Sequence, residues 1–289
     1  MKASLLGPIA ALLLLTLPAL ALAQAARPQP RVRGVPGTMA VQPRDCPLAP
    51  RVDPQRIVNL ALQEWTFFGS RIAEPRDSGD DDLPEEERRR RRPRLAPDEA
   101  ARVAPVIAGY WAVTLQGSWI VSRQNDRWNG PDGISARWNA PWSAAFISWV
   151  MCEAGLGNNA QFVRAIAHHV YIDQAIRARD GIAGQAAFTA HEVGEVAVKP
   201  GDLLCAARRP IYRSLADRRR QMGSGARSHC DIVVRVDEVS RQVHAIGGNV
   251  RGVVSLKRLP AAPNARGLLQ PTTGDDERPL FVHMRLRGQ

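Results

Sequence analysis

The chain has 289 residues and a formal net charge of +11, carried almost wholly by arginine, since lysine occurs only at Lys2, Lys199 and Lys257. The arginines are dispersed and fall on no recognisable reading module, which sets nucleic acid aside as the expected partner. Such a charge favours anionic envelope polymers and lipid headgroups instead.

Met1-Lys2 gives a short positive start, Leu5 to Ala23 is almost entirely apolar, and Ala21 and Ala23 sit two apart before Gln24. That layout predicts a cleavable signal peptide over 1–23. The alternative is an uncleaved anchor, but the run is only just long enough for a bilayer of about 30 Å. Nothing later approaches eighteen consecutive apolar residues, so no further membrane span is expected and the mature chain belongs in the periplasm or outside the cell. The mature part, about 265 residues, suffices for one sizeable core plus appendages.

Residues 24–52, rich in Pro, Arg and Ala, read as a flexible leader. Asp53-Pro54 then starts a helix by an N-cap and a proline in the first turn. Ile57, Leu60, Ala61, Trp65 and Phe68 recur at helical spacing up to Gly69, making 53–73 a docking helix. Segment 74–96 alternates acidic and arginine blocks around Pro84 and Pro93, and reads as a charged disordered insertion, a solvated loop able to touch an anionic polymer. A second helix starts at Pro97-Asp98 and carries Val103, Val106, Ile107, Tyr110 and Trp111. Trp119 to Trp142 reads as aromatic-rich loop, with Trp128, Trp138 and Trp142 either lining a cleft or packing. Helices are expected from Ser143 to Ala154, stopped by Gly155, and from Asn159 to Arg177.

After Pro200-Gly201 the period changes to two or gives way to short apolar runs. Strands are expected at Asp202 to Ala206, Cys230 to Val236, Val243 to Gly247 and Val253 to Leu256, with an arginine-rich surface excursion from Arg208 to Arg227. Helices first and a small antiparallel sheet second make an α+β fold. The four cysteines, Cys46, Cys152, Cys205 and Cys230, permit two disulfides in an oxidising compartment, or remain buried thiols. Cys205 and Cys230 fall on strands expected to be neighbours, which favours that pair and leaves Cys46 with Cys152.

Three residues stand out chemically. Ser143 sits at a helix start, where a serine is ordinarily a cap but where free backbone N–H groups also stabilise negative charge. His229 enters a strand, and Asn249 follows Gly247-Gly248 at the end of the next. On adjacent strands the amide would hold one ring nitrogen and leave the other to take a proton from a hydroxyl. His168 is either a cleft residue or a satisfied structural histidine. His168, His229 and Asp231 would be the gathering point for a metal, but no tight histidine spacing supports one. Neither a nucleophile elbow, a Walker loop nor a dinucleotide fingerprint occurs, so no cofactor is expected.

The strings PWSAAFISWVMCEAG at 141–155, AHHVYI at 167–172, PGDLLC at 200–205, SHCDIVV at 228–234 and IGGNV at 246–250 resemble the bacterial domain-of-unknown-function family 2272. Their order is more distantly similar to the papain-like cell-wall hydrolases, including the CHAP amidases. The resemblance implies a papain-like domain over 97–258, N-terminal helices packed on a small antiparallel sheet, with 259–289 as a C-terminal extension. In the papain-like relatives a nucleophilic cysteine opens the central helix in a Trp-Cys-x-x-Phe setting, which corresponds here to Ser143 within Trp142-Ser143-Ala144-Ala145-Phe146. Their strand-opening histidine corresponds to His229, and the polar residue orienting it to Asn249, with Trp142, His168 and Asp231 around a possible cleft. The implied activity is cleavage of an amide or peptide bond in peptidoglycan. Serine in place of the thiol admits a second implication, a retired cleft in a non-catalytic envelope module that binds peptidoglycan fragments.

Overall fold

The computed structural model describes residues 28–29, 31–42, 45–73, 95–272 and 278–288. The expected signal peptide and most of the charged segment, 74–94, lie outside the described residues. Helix α1 spans Pro54–Phe67, with the Asp53 side chain accepting from Gln55 N, and buries Ile57, Val58, Leu60 and Ala61. Gly69, at φ 85°, ends it as expected. Helix α2 runs Pro97–Trp111, α3 Gly117–Trp128, α4 Ser143–Glu153, α5 His168–Arg179 and α6 Leu215–Arg219. No helix among the described residues is long and apolar enough to cross a membrane.

Seven strands form one antiparallel sheet: β3 Phe188–His191, β4 Leu203–Arg209, β5 Arg227–Asp237, β6 Gln242–Val250, β7 Val253–Pro263, β8 Leu269–Pro271 and β9 Leu280–Leu286. Their order is β3-β9-β4-β5-β6-β7-β8. Side chains alternate between its faces. Cys205, Ile232, Ile246 and Val282 join Phe146, Ile147 and Val150 of α4 in the main core, while Leu204, Val233, Ala245 and Leu259 make a smaller cluster. Every residue of α4 is buried, and this helix packs on β5 and β6. The α+β class is as expected.

Several boundaries differ for identifiable reasons. The last strand, β9, lies inside the sheet between β3 and β4, so the chain after 258 completes the sheet where an appended extension was expected. His283 hides its apolar alternation: the ring is fully buried and bonded to Asp202 at 2.8 Å, serving as a core residue. Helix α3 stands where a loop was expected, because its buried face uses Gln124, whose amide bonds Ala136 O, Arg137 O and Asn139 N, beside Ile120, Val121 and Trp128. The helix expected from Asn159 begins only at His168. Gln174 reaches back to Asn159 O, Ala160 O and Val163 N, and satisfies that stretch as a turn. Within the arginine-rich excursion, Arg218 is fully buried and grips both carboxylate oxygens of Asp173, at 2.7 and 2.6 Å.

The described part of the expected flexible leader is tied down. Strands β1, Val32–Arg33, and β2, Ala40–Val41, pair with each other. Arg31 bonds Glu153 at 2.7 Å with both side chains buried, and Asn125 holds both backbone groups of Met39. Both disulfides expected from the sequence form, Cys46–Cys152 and Cys205–Cys230, the second between directly opposed residues of β4 and β5. Cys46–Cys152 closes a sequence separation of 106. Loop-entropy reasoning then assigns it about 5 kcal/mol. Urea unfolding of a Cys46→Ser, Cys152→Ser double variant should show a loss of that order; a midpoint unchanged from the parent would contradict this anchoring role.

Candidate active site

Helix α4 begins without a side-chain cap: Trp142 occupies the N-cap position and contributes only its carbonyl, which accepts from Phe146 N at 3.0 Å. Helical geometry therefore leaves the N–H groups of Ser143, Ala144 and Ala145 without intrahelical acceptors. Ser143 is 8% exposed, at the edge of solvent reach. Its Oγ lies 2.7 Å from Nε2 of His168, the first residue of α5. The other ring nitrogen of His168, Nδ1, is bonded to the hydroxyl of Tyr171. That spacing of three residues puts both side chains on one face of α5.

A second buried chain lies beside the first. His229 and Asp231, two apart on β5, share a strand face, while Cys230 between them faces Cys205. His229 Nε2 donates to Asp231 Oδ1 at 3.0 Å, and Lys257 Nζ, on β7, donates to Asp231 Oδ2 at 2.7 Å. The rings of His168 and His229 have centroids 5.4 Å apart. His229 Nδ1 is buried and has no hydrogen-bond partner among the described residues.

Two glycines of β6 make room for this arrangement. A Cβ on Gly247 would lie 1.9 Å from Asp231 Oδ1 and 2.8 Å from His229 Nε2. One on Gly248 would lie 2.6 Å from Cβ of Phe146, one helical turn beyond Ser143. Gly247 thus admits the His229–Asp231 pair, and Gly248 lets the Ser143 helix press against the strand.

Ser143, His168, His229 and Asp231 are therefore brought together. Asn249 is not bonded to His229: Asp231 occupies that role. Asn249 sits at φ 57°, within the register irregularity between Gly247 and Val250, where asparagine tolerates the left-handed backbone that most residues avoid. Trp142 is 1% exposed and packs between Phe68 and Tyr110, with centroids 5.9 and 5.7 Å away, as a core residue. Lys257 and Tyr171 complete the two chains and were not singled out from sequence. The available signal for Lys257 was rarity, as one of three lysines in an arginine-rich chain.

Burial dominates the electrostatics. It pushes His168 well below the ordinary histidine value, helped by His229 and Arg208 and opposed by Asp231. Burial likewise pushes His229 down to about 4, against the pull of Asp231 and with Lys257 and Arg208 adding to the shift. For Asp231, burial alone would raise the pKa, but Lys257 and His229 outweigh it and hold the carboxyl well below the usual range. Burial raises Tyr171 well above the ordinary phenol value, with Asp231 adding to it. Near neutral pH the site thus combines two neutral imidazoles, a carboxylate and an intact phenol.

The sign of the resulting acid sensitivity follows from linkage. A histidine at about 4 in the folded state and about 6.5 unfolded takes up its proton first in the unfolded chain. Stability is unaffected above about 6.5 and falls as pH drops to about 4, by about 3 kcal/mol for His229 alone. The depressed Asp231 adds its loss only below its unfolded value, near 3.9. Urea unfolding at pH 7, 5.5 and 4 should show this decline, with His229→Gln flattening it. Equal stability at pH 7 and pH 4 would rule out neutral buried histidines.

One family matches this chain, described as an uncharacterized protein conserved in bacteria, DUF2272, over residues 106–286. The match covers more than half of the chain, includes every residue of the two hydrogen-bonded chains and ends with β9; the chain belongs to DUF2272. No protein of curated function and no solved structure matches it.

Proposed function

We propose that this DUF2272 member is an exported hydrolase that cleaves an amide or peptide bond in peptidoglycan, with Ser143 as nucleophile and His229, oriented by Asp231, as general base. The observation that carries the reading is a serine at an uncapped helix start bonded to His168, whose ring centroid lies 5.4 Å from that of His229, the member of a buried His–Asp pair with an unpartnered second nitrogen. In the first step Ser143 Oγ bonds to the substrate carbonyl carbon as its proton passes to His229 Nδ1. The carbonyl electron pair moves onto oxygen, where the N–H groups of Ala144 and Ala145 and the positive end of α4 stabilise it. The tetrahedral intermediate collapses as the C–N bond breaks and His229 returns the proton to the leaving nitrogen. Water, deprotonated by His229, then attacks the serine ester, and the proton restores the Ser143 hydroxyl. Asp231 keeps Nε2 protonated throughout, and so keeps Nδ1 as the basic nitrogen.

The order of the five sequence blocks, distantly similar to that of papain-like cell-wall hydrolases, supports this substrate class, as does the central helix packed on an antiparallel sheet. An apolar leader and two disulfides support export to an oxidising compartment. The charge of +11 supports adsorption to an anionic wall polymer.

A specific observation favours the second reading, a binding module with a retired cleft. Ser143 is mostly covered, and neither of two surface hollows, of about 360 and 550 Å³, includes it; both adjoin Glu192 and Val193 instead. Incubating the protein with purified peptidoglycan and following released fragments by mass separates the readings. Release supports hydrolysis. Co-sedimentation with the polymer without release supports binding; a protein that neither cuts nor binds the polymer leaves both readings without support.

A further inference from the structure

We infer that Tyr171 fixes His168 as a hydrogen-bond donor to Ser143 Oγ, so that His168 prepares the serine oxygen while the serine proton is left for His229. The second clause rests on the hydrolase reading; the first does not.

The Tyr171 phenol sets the tautomer of His168. Tyr171 is fully buried, and a buried hydroxyl must place its proton on an acceptor. Among the described residues its hydrogen-bond partner is His168 Nδ1. If the phenol donates there, Nδ1 is bare. A neutral imidazole with bare Nδ1 carries its proton on Nε2, which lies 2.7 Å from Ser143 Oγ and must donate to it. The opposite tautomer would turn Nδ1–H toward the phenol oxygen and strand the Tyr171 proton without an acceptor. Burial supports the same assignment, because it keeps the phenol protonated and the imidazole uncharged near neutral pH.

His229 is fixed in the same tautomer by a different partner. Its Nε2–H points at Asp231, leaving Nδ1 bare, buried and unpartnered among the described residues. Of these two histidines, with ring centroids 5.4 Å apart, His168 gives its N–H to the serine and His229 keeps a bare nitrogen. With its oxygen accepting from one, Ser143 keeps its own proton available for the other. No hydrogen bond joins Ser143 to His229 at rest; on the hydrolase reading that contact forms when substrate binds, since catalytic contacts commonly tighten at that stage.

This division of labour addresses the weakness of serine in a thiol's position. A donor aimed at Oγ favours the oxygen's charged form, both as the proton leaves and when the ester later breaks. A thiolate at a helix start has less need of such help. His168 therefore touches a reacting atom, and Tyr171 acts through it as a positioning residue.

The test is 15N spectroscopy of the intact protein labelled on histidine, near pH 7, with each ring assigned by its loss in His168→Gln or His229→Gln. The expected spectrum has Nε2 protonated and Nδ1 bare in both rings. Tyr171→Phe should convert His168 from a single tautomer to a mixture while leaving His229 unchanged. An Nδ1-protonated or doubly protonated His168 in the parent protein would overturn the inference, as would a Tyr171→Phe protein that folds and keeps the parent tautomer. The parent spectrum decides the matter alone if that variant does not fold. The two readings also fail separately. An Nε2-protonated His168 in a protein that releases nothing from peptidoglycan sinks the hydrolase and keeps the tautomer lock, whereas an Nδ1-protonated His168 in an active protein does the reverse.

Discussion

Ser143→Ala should lower fragment release from purified peptidoglycan by about a thousandfold or more, while co-sedimentation with the polymer stays within about twofold. The asymmetry is the informative part. The substitution removes one oxygen from a side chain that is 8% exposed and leaves the fold and its positive surface intact, so binding has no reason to change. Without Oγ there is no atom to carry the acyl group, and only the oxyanion donors and bound geometry remain. Ser143→Cys adds a second discrimination. A thiol at a helix N-terminus beside a neutral histidine loses its proton far more readily than a hydroxyl. If the site is tuned for serine, through the His168 donor, the cysteine variant should be no faster than the parent. If the site is a retired thiol site, the parent should be silent and Ser143→Cys should regain release. Equal release by the parent and Ser143→Ala would remove Ser143 from the mechanism, whatever its neighbours.

The contrast between what could and could not be read from sequence has a physical basis. Helix α1 was legible because Asp53, Pro54 and Gly69 mark its ends and its apolar face keeps one period. Strands β4, β5 and β6 were legible because their outer and inner faces both bury apolar side chains. Helix α3 and strand β9 escaped because each buries a polar residue, Gln124 and His283, whose partners, the 136–139 loop and Asp202, come from elsewhere in the chain. Periodicity counts such residues as exposed, and only tertiary hydrogen bonds make them core. The site divided in the same way. Ser143 and His229 could be singled out by position on their own elements. Asp231 was visible as a neighbour on the same strand face, yet its partnership with His229 depends on Lys257 from β7 and on the space left by Gly247 from β6. The choice between Asn249 and Asp231 turns on a register irregularity at the end of β6, which sends Asn249 into a left-handed turn. No local pattern encodes that.

Gly247→Ala puts this dependence on space to the test, and its effect should rival removal of a catalytic group. The added Cβ would stand 1.9 Å from Asp231 Oδ1, 2.8 Å from His229 Nε2 and 3.1 Å from Asp231 Cγ, so the carboxylate has to move. It has little freedom to do so, being 4% exposed and held through its other oxygen by Lys257. The His229–Asp231 bond should break, leaving a buried imidazole free to rotate or to change tautomer. The backbone is not the cause, since Gly247 does not adopt the left-handed conformation that other glycines of the chain require. A loss of about 1–3 kcal/mol in stability is expected from the strained, unpaired carboxylate. Loss of orientation and proton placement should cost about a hundredfold to ten-thousandfold in turnover. Gly225→Ala, which meets nothing within 4 Å and has no unusual φ, supplies the control and should change neither quantity. The deciding measurement is a double-mutant cycle with Asp231→Ala. Once the carboxylate is gone only the 2.8 Å approach to His229 Nε2 is left, and a ring no longer held by Asp231 can turn from it, so Gly247→Ala should add little in that background, in stability or in turnover. Full additivity of the two substitutions would mean that Gly247 acts through something other than the His229–Asp231 pair.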